Sequence, residues 1–139
     1  MLSAASLVSC SLALLNSDEA ALDGDSTVIV SGSVSDISSN EPITGIRITF
    51  AAYPENTLYP LPIITKTVYS DSKGLYTVDA YGFSDVITCK VTAESLDLEN
   101  LPYEKSTNEI LIPWSGAGYD QSTMTFFVNN CNFQLKKTR

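Results

Sequence analysis

Ile87-Thr88-Cys89-Lys90-Val91-Thr92-Ala93 alternates apolar and polar side chains without a break, and that period of two decides the fold. Successive side chains of an extended strand point to opposite faces, so Ile87, Cys89, Val91 and Ala93 share one side and Thr88, Lys90 and Thr92 the other. The pattern continues outward in both directions. Upstream, Ile46, Ile48 and Phe50 alternate with Gly45, Arg47 and Thr49, and before them Val28, Val30 and Val34 share a face, with Gly32 between them where a side chain would crowd a neighbour. Pro54, Pro60 and Pro62 then break the ladder, because proline has no N–H to donate. Ile63 to Tyr69 is a third strand, and Tyr76, Val78 and Ala80 form a fourth after a turn at Ser70-Asp71-Ser72-Lys73-Gly74. Downstream, an acidic loop from Glu94 to Asn108 leads to a strand at Glu109 to Trp114 and a long last strand from Thr123 to Lys136, bent near Asn129-Asn130. No run of ten residues has a helical period, and the expectation is an all-β, seven-stranded antiparallel sandwich.

The sandwich is expected over residues 27–139, preceded by a leader and flexible tether over residues 1–26. Met1 to Leu15 is uncharged and too short to span a bilayer. Within it Leu7-Val8-Ser9-Cys10 resembles the lipobox of bacterial lipoproteins, which implies lipidation of Cys10. The alternatives are an ordinary cleaved leader containing an incidental cysteine, or a packed helix. Asn16 to Ser26 carries Asp18, Glu19, Asp23 and Asp25, whose spacing misses that of a calcium loop, so no metal site is expected there.

Composition narrows the function classes. Sixteen acidic against eight basic residues leave a net charge of −8, which repels a phosphate backbone and an anionic lipid surface. Nucleic acid is therefore not an expected partner, and membrane attachment must come from the N-terminal anchor. The chain has no histidine, which removes the Ser-His and Cys-His pairs and the commonest general base, and the expectation is a protein that is not an enzyme and needs no cofactor. Cys89 and Cys131 both fall on inward faces; they either form a disulfide, as an oxidising compartment permits, or remain two buried thiols. Two loops combine aromatics with turn-formers, and Tyr53, Tyr59, Trp114 and Tyr119 are the candidate binding residues. Trp114 also suits a second role, plugging the open end of the core.

Three blocks, Val30-Ser31-Gly32-Ser33-Val34-Ser35-Asp36, Glu41-Pro42-Ile43-Thr44-Gly45-Ile46-Arg47-Ile48 and Ser70-Asp71-Ser72-Lys73-Gly74-Leu75-Tyr76-Thr77-Val78, resemble the carboxypeptidase-regulatory-like, transthyretin-like sandwich family in order and spacing. The resemblance covers about half the chain and implies an Ig-like or transthyretin-like sandwich without catalytic residues of its own, used as an accessory or binding module. The resulting expectation is a monomeric, envelope-anchored bacterial lipoprotein, placed at the outer membrane, that recognises a glycan or a partner protein through its loops. The alternative is a structural subunit of a surface adhesin or fibre. Related pilin and adhesin sandwiches carry a first-strand lysine for an internal crosslink, whereas the first lysine here is Lys66.

Overall fold

The computed structural model describes residues 24–55 and 61–138; Cys10, the rest of the leader through residue 23, and Tyr59 lie outside the described residues. Nine strands form among them: β1 (Ser26–Asp36), β2 (Arg47–Pro54), β3 (Ile64–Tyr69), β4 (Leu75–Phe83), β5 (Ile87–Glu94), β6 (Ser106–Ile112), β7 (Tyr119–Asp120), β8 (Thr125–Val128) and β9 (Phe133–Leu135). They make two layers. One sheet runs β4-β1-β8-β7, with β9 also paired to β1; the other runs β3-β2-β5-β6. The all-β sandwich is therefore present, with two differences from the expected strand set. The expected last strand divides at Asn129–Asn132 into β8 and β9, and the short β7 precedes them. Both halves pair with β1 in parallel, Ile29 opposite Phe127 and Val34 opposite Phe133, so the sheets are not wholly antiparallel. The cause is topological: after β6 the chain crosses to the other sheet, forms the edge strand β7 and turns back as β8 into the place beside β1.

Alternation turns these ribbons into a core. Val28, Val30 and Val34 of β1 and Val78 and Ala80 of β4 are buried on one inner face, and Ile48, Phe50, Cys89 and Val91 on the other. At the β3 edge, Lys66 pairs with Phe50 and so occupies an inward-facing position, yet it stays exposed. A charge there discourages another strand from extending the sheet.

The geometry of the turns comes from a few polar groups. The Ser70 hydroxyl, buried between the sheets, donates to the Ile43 carbonyl (2.7 Å) and accepts from the Ile46 N–H (3.0 Å). It thereby ties the turn entering β2 to the turn leaving β3. Beside it, Gly74 has φ of 74°, and a Cβ there would lie 2.5 Å from the Val34 carbonyl oxygen. Asp71 closes the same turn by accepting from the N–H groups of Lys73 and Leu75. All three sequence blocks thus meet at one junction.

Ser70→Ala leaves a buried N–H and a buried carbonyl without that partner, and the expected loss is about 1–3 kcal/mol of unfolding free energy. Urea denaturation of the two proteins measures it; an unchanged midpoint would show that the junction does not depend on this hydroxyl.

Candidate functional site

The loop aromatics proposed for recognition are largely taken up by packing. Trp114, held at φ of 57°, stacks on Phe83 with ring centroids 5.9 Å apart and meets Tyr119 and Phe126 edge-on at 6.3 and 6.4 Å. Its indole N–H donates to the Asp85 carbonyl at 2.7 Å. Trp114 therefore closes one end of the sandwich, and Tyr119 is half-buried against it. Tyr53 lies on the outer face of β2 with the Lys90 ammonium 5.0 Å from its ring centroid. The structure thus does not gather Tyr53, Trp114 and Tyr119 into an open binding loop.

Cys89 and Cys131 are both free and buried. Cys89 projects from β5 into the core, where burial pushes its thiol up to about 12. Cys131 sits in the β8–β9 bend, and its sulfur accepts from the Asn108 side-chain amide at 3.7 Å. Neither environment supplies a cation that would activate a thiolate.

The opposite end of the sandwich is polar. Asp36, at the end of β1, is buried; its Oδ2 accepts from the Tyr103 hydroxyl at 2.7 Å and its Oδ1 from the N–H groups of Ser38 and Ser39. The Tyr103 hydrogen bond, with the Ser38 N–H next, holds the Asp36 carboxyl below its ordinary value of 3.8, and the ammonium of Lys137, 3.9 Å away, adds to the effect. The Tyr103 hydroxyl is raised in turn to about 12, first by desolvation and then by its bond to Asp36. A cavity of about 500 Å³ opens beside this group, with Glu41, Ile43 and Leu101 on its walls. The carboxylate is committed to holding three segments together, because Tyr103 and Lys137 also pair through their backbones. This cluster is a latch on the C-terminal segment.

The two outer faces differ in their charge. On that of the β3-β2-β5-β6 sheet, Thr67, Thr49, Thr92 and Thr107 align across all four strands, and Tyr69 and Leu111 stay exposed. The hydroxyls of Thr92 and Thr107 are 3.0 Å apart, and Arg47–Glu94 and Lys90–Glu109 form ion pairs on either side of the row. The outer face of β4, β1 and β8 exposes Leu75 (49%), Tyr81 (67%) and Phe127 (39%), with no ion pair among its described residues. Phe127 lies directly beside Ile29, and Tyr81 beside Thr27, one diagonal step away. Sequence reading missed this face because it assigned aromatics by loop composition, whereas Tyr81 and Phe127 lie on strands. Their period-two outward positions were the available signal.

No known sequence family matches the chain, and no curated protein matches it in sequence. Among solved structures, it is similar to a 3-chlorocatechol 1,2-dioxygenase from Rhodococcus opacus, with a TM-score of 0.52 and 12% identity over 84% of this chain and 62% of that one. It is also similar to a hydroxyquinol 1,2-dioxygenase from Pseudomonas putida, with a TM-score of 0.51 and 11% identity over 84% of this chain and 58% of that one. A looser likeness, TM-score 0.46 and 16% identity, relates all of this chain to 36% of a streptococcal ancillary pilin. The likeness is one of fold. The chain spans about three fifths of the length of the two dioxygenases. These neighbours correct the expectation that the chain is not an enzyme: the absence of histidine argued against familiar hydrolases, but this architecture is one on which dioxygenases are built. Among the described residues no three His, Cys, Asp or Glu side chains come together, and no helix is long and apolar enough to cross a membrane.

Two outcomes follow from the buried groups. With its thiol raised and enclosed, Cys89 should resist iodoacetamide in the native protein at pH 8 and react once urea is added; peptide mass spectrometry reads the difference, and rapid native labelling would contradict the burial. The carboxyls of Asp36, Asp71, Asp97 and Asp120 are all lowered in the folded chain. Their stabilisation is complete above the unfolded value of about 3.8 and is lost as pH falls toward the folded values. The urea midpoint should therefore be level above about pH 5 and drop below it, and Asp36→Asn should lower the neutral-pH midpoint while flattening the acid limb.

Proposed function

We propose that this protein is an envelope-anchored accessory or binding module that works by surface recognition. The observation that carries this reading is the outer face of β4, β1 and β8, where Tyr81, Phe127 and Leu75 stay exposed and Tyr81 and Phe127 lie a diagonal step apart across Thr27 and Ile29. Grouped exposed apolar side chains on a small domain mark a contact surface. The recognition surface is accordingly placed on a sheet face, with the aromatic end loops serving as a plug. The three-block likeness to carboxypeptidase-regulatory-like domains supports an accessory role, and the junction around Ser70 gives those blocks a common physical purpose.

Attachment through a lipidated Cys10 belongs to the same reading, with an outer-membrane lipoprotein as its specific form. Expression of the whole chain in a bacterial host fed an alkyne fatty-acid analogue tests it. The labelled protein should fractionate with membranes, and Cys10→Ala should lose both the label and the membrane association. An unlabelled, cytosolic wild type would overturn the placement. Native sizing of the sandwich should give a monomer; an SDS-resistant ladder would move the reading to a fibre subunit.

A further inference from the structure

The exposed face contains a built depression as well as an apolar band. Between β1, β4 and the β8–β9 bend lies a cavity of about 520 Å³, within the range of small-ligand pockets. Its floor is the backbone around Gly32, which lies in the inward row of β1 opposite the buried Tyr76; on that inner side a Cβ would stand 1.9 Å from the Cys131 carbonyl oxygen. Below that floor the Tyr76 hydroxyl donates to the same carbonyl, which fixes the bend against the sheet. Asn130, at φ of 62°, turns the chain there and sets Asn129 and Asn132 on the two sides of the depression.

The polar groups on its walls are oriented but not used up. Asn132 Oδ1 accepts from both the N–H (2.9 Å) and the hydroxyl (3.1 Å) of Ser33, so its amide NH2 is held in one direction with no partner among the described residues. Asn129 Oδ1 accepts from the Ser31 hydroxyl at 3.4 Å, which leaves its NH2 free in the same way. The exposed Thr77 hydroxyl, opposite Ser31 in the β1–β4 register, has no partner among the described residues either. These groups are neutral donors and acceptors at fixed positions. None of the described Lys or Arg residues occupies an outward position of β4, β1 or β8, and Asp79 is the one charged residue among those positions. The face cannot neutralise a phosphate, sulfate or carboxylate.

From Leu75 to Tyr81 the face extends six residues along β4, ~20 Å at about 3.4 Å per residue. Hydroxyls and amides occupy one half, and Ile29, Phe127 and Tyr81 the other, with Asp79 placed to accept between them. A chain of neutral sugars matches this sequence of surfaces, since its hydroxyls both donate and accept while its C–H faces lie against aromatic rings. We infer that the β4-β1-β8 face, centred on the Gly32 depression, binds a neutral polysaccharide. The inference rests on the binding-module reading and gives it a ligand class and a location.

Affinity electrophoresis of the purified protein through gels containing mixed-linkage β-glucan, glucomannan or galactan tests the inference, with polygalacturonate as an anionic control. Retardation is expected in at least one neutral gel and not in polygalacturonate. Tyr81→Ala/Phe127→Ala and, separately, Asn129→Ala should each weaken it at least tenfold, whereas Leu111→Ala on the opposite sheet should leave it unchanged. Thr77→Lys at an exposed position should also abolish it by filling the depression. Thermal unfolding of each variant checks that it is folded, and all five substituted positions are exposed, which keeps it so. Mobility unchanged in every neutral gel, binding that prefers the acidic polymer, or retardation that survives all three face variants would each overturn the assignment. If the fatty-acid label and membrane fractionation persist while every neutral gel fails, the ligand class is wrong and the anchored-module reading stands.

Discussion

Strand β1 is hydrogen-bonded along both edges, and its sheet is organised around it. β4 pairs antiparallel on one side, while β8 and β9 pair in parallel on the other, the latter two meeting different stretches of the same eleven-residue strand. Such a strand must present alternate residues to the core over its whole length, and Val28, Val30 and Val34 do so. Gly32 interrupts this inward row at the place where the Cys131 carbonyl closes in. Without that gap the bend between β8 and β9 could not sit against the sheet, and the two strands could not both reach β1.

The ends of the sandwich are closed by opposite chemistry. At one end the rings of Phe83, Trp114, Tyr119 and Phe126 cover the core, and the polar edge of the indole is satisfied by the Asp85 carbonyl. At the other, Asp36 gathers Tyr103, the N–H groups of its own turn, and Lys137. An ionised carboxylate can remain buried there because its oxygens accept several hydrogen bonds. These closures leave the sheet faces as the surfaces on which recognition can differ. One face carries a row of threonines and ion pairs, with Tyr69 and Leu111 exposed beside them, and the other carries exposed aromatics and free side-chain amides without an ion pair among its described residues.

The likeness to dioxygenases at 10–13% identity shows that this layered arrangement is compatible with very different sequences. A fold defined by alternation and a few turn positions imposes little on outward residues, so function must be sought in the particular groups placed there. In this chain the outward groups of β4, β1 and β8 are neutral apart from Asp79, whereas the opposite sheet pairs charges across its strands. The overall charge of −8 is carried by turns, loops and the opposite sheet to a greater extent than by that face, where Asp79 is the outward carboxylate.

Several features were settled by the residues alone. The period of two at Ile87 to Ala93 and at Ile46 to Phe50 placed the inner residues correctly, because side-chain direction in a strand depends only on position along the chain. The turn at Ser70 to Gly74 was legible for a similar reason, since Asp71 and Gly74 act on backbone groups a few residues away. Strand partners were not legible: the parallel entry of β8 and β9 beside β1 links residues about a hundred positions apart, and no local pattern encodes such a pairing. The fate of the aromatics followed from it. Trp114 and Phe126 were brought together at a sandwich end and enclosed, while Tyr81 and Phe127 were set on an open face, because exposure is decided by what the rest of the chain packs nearby.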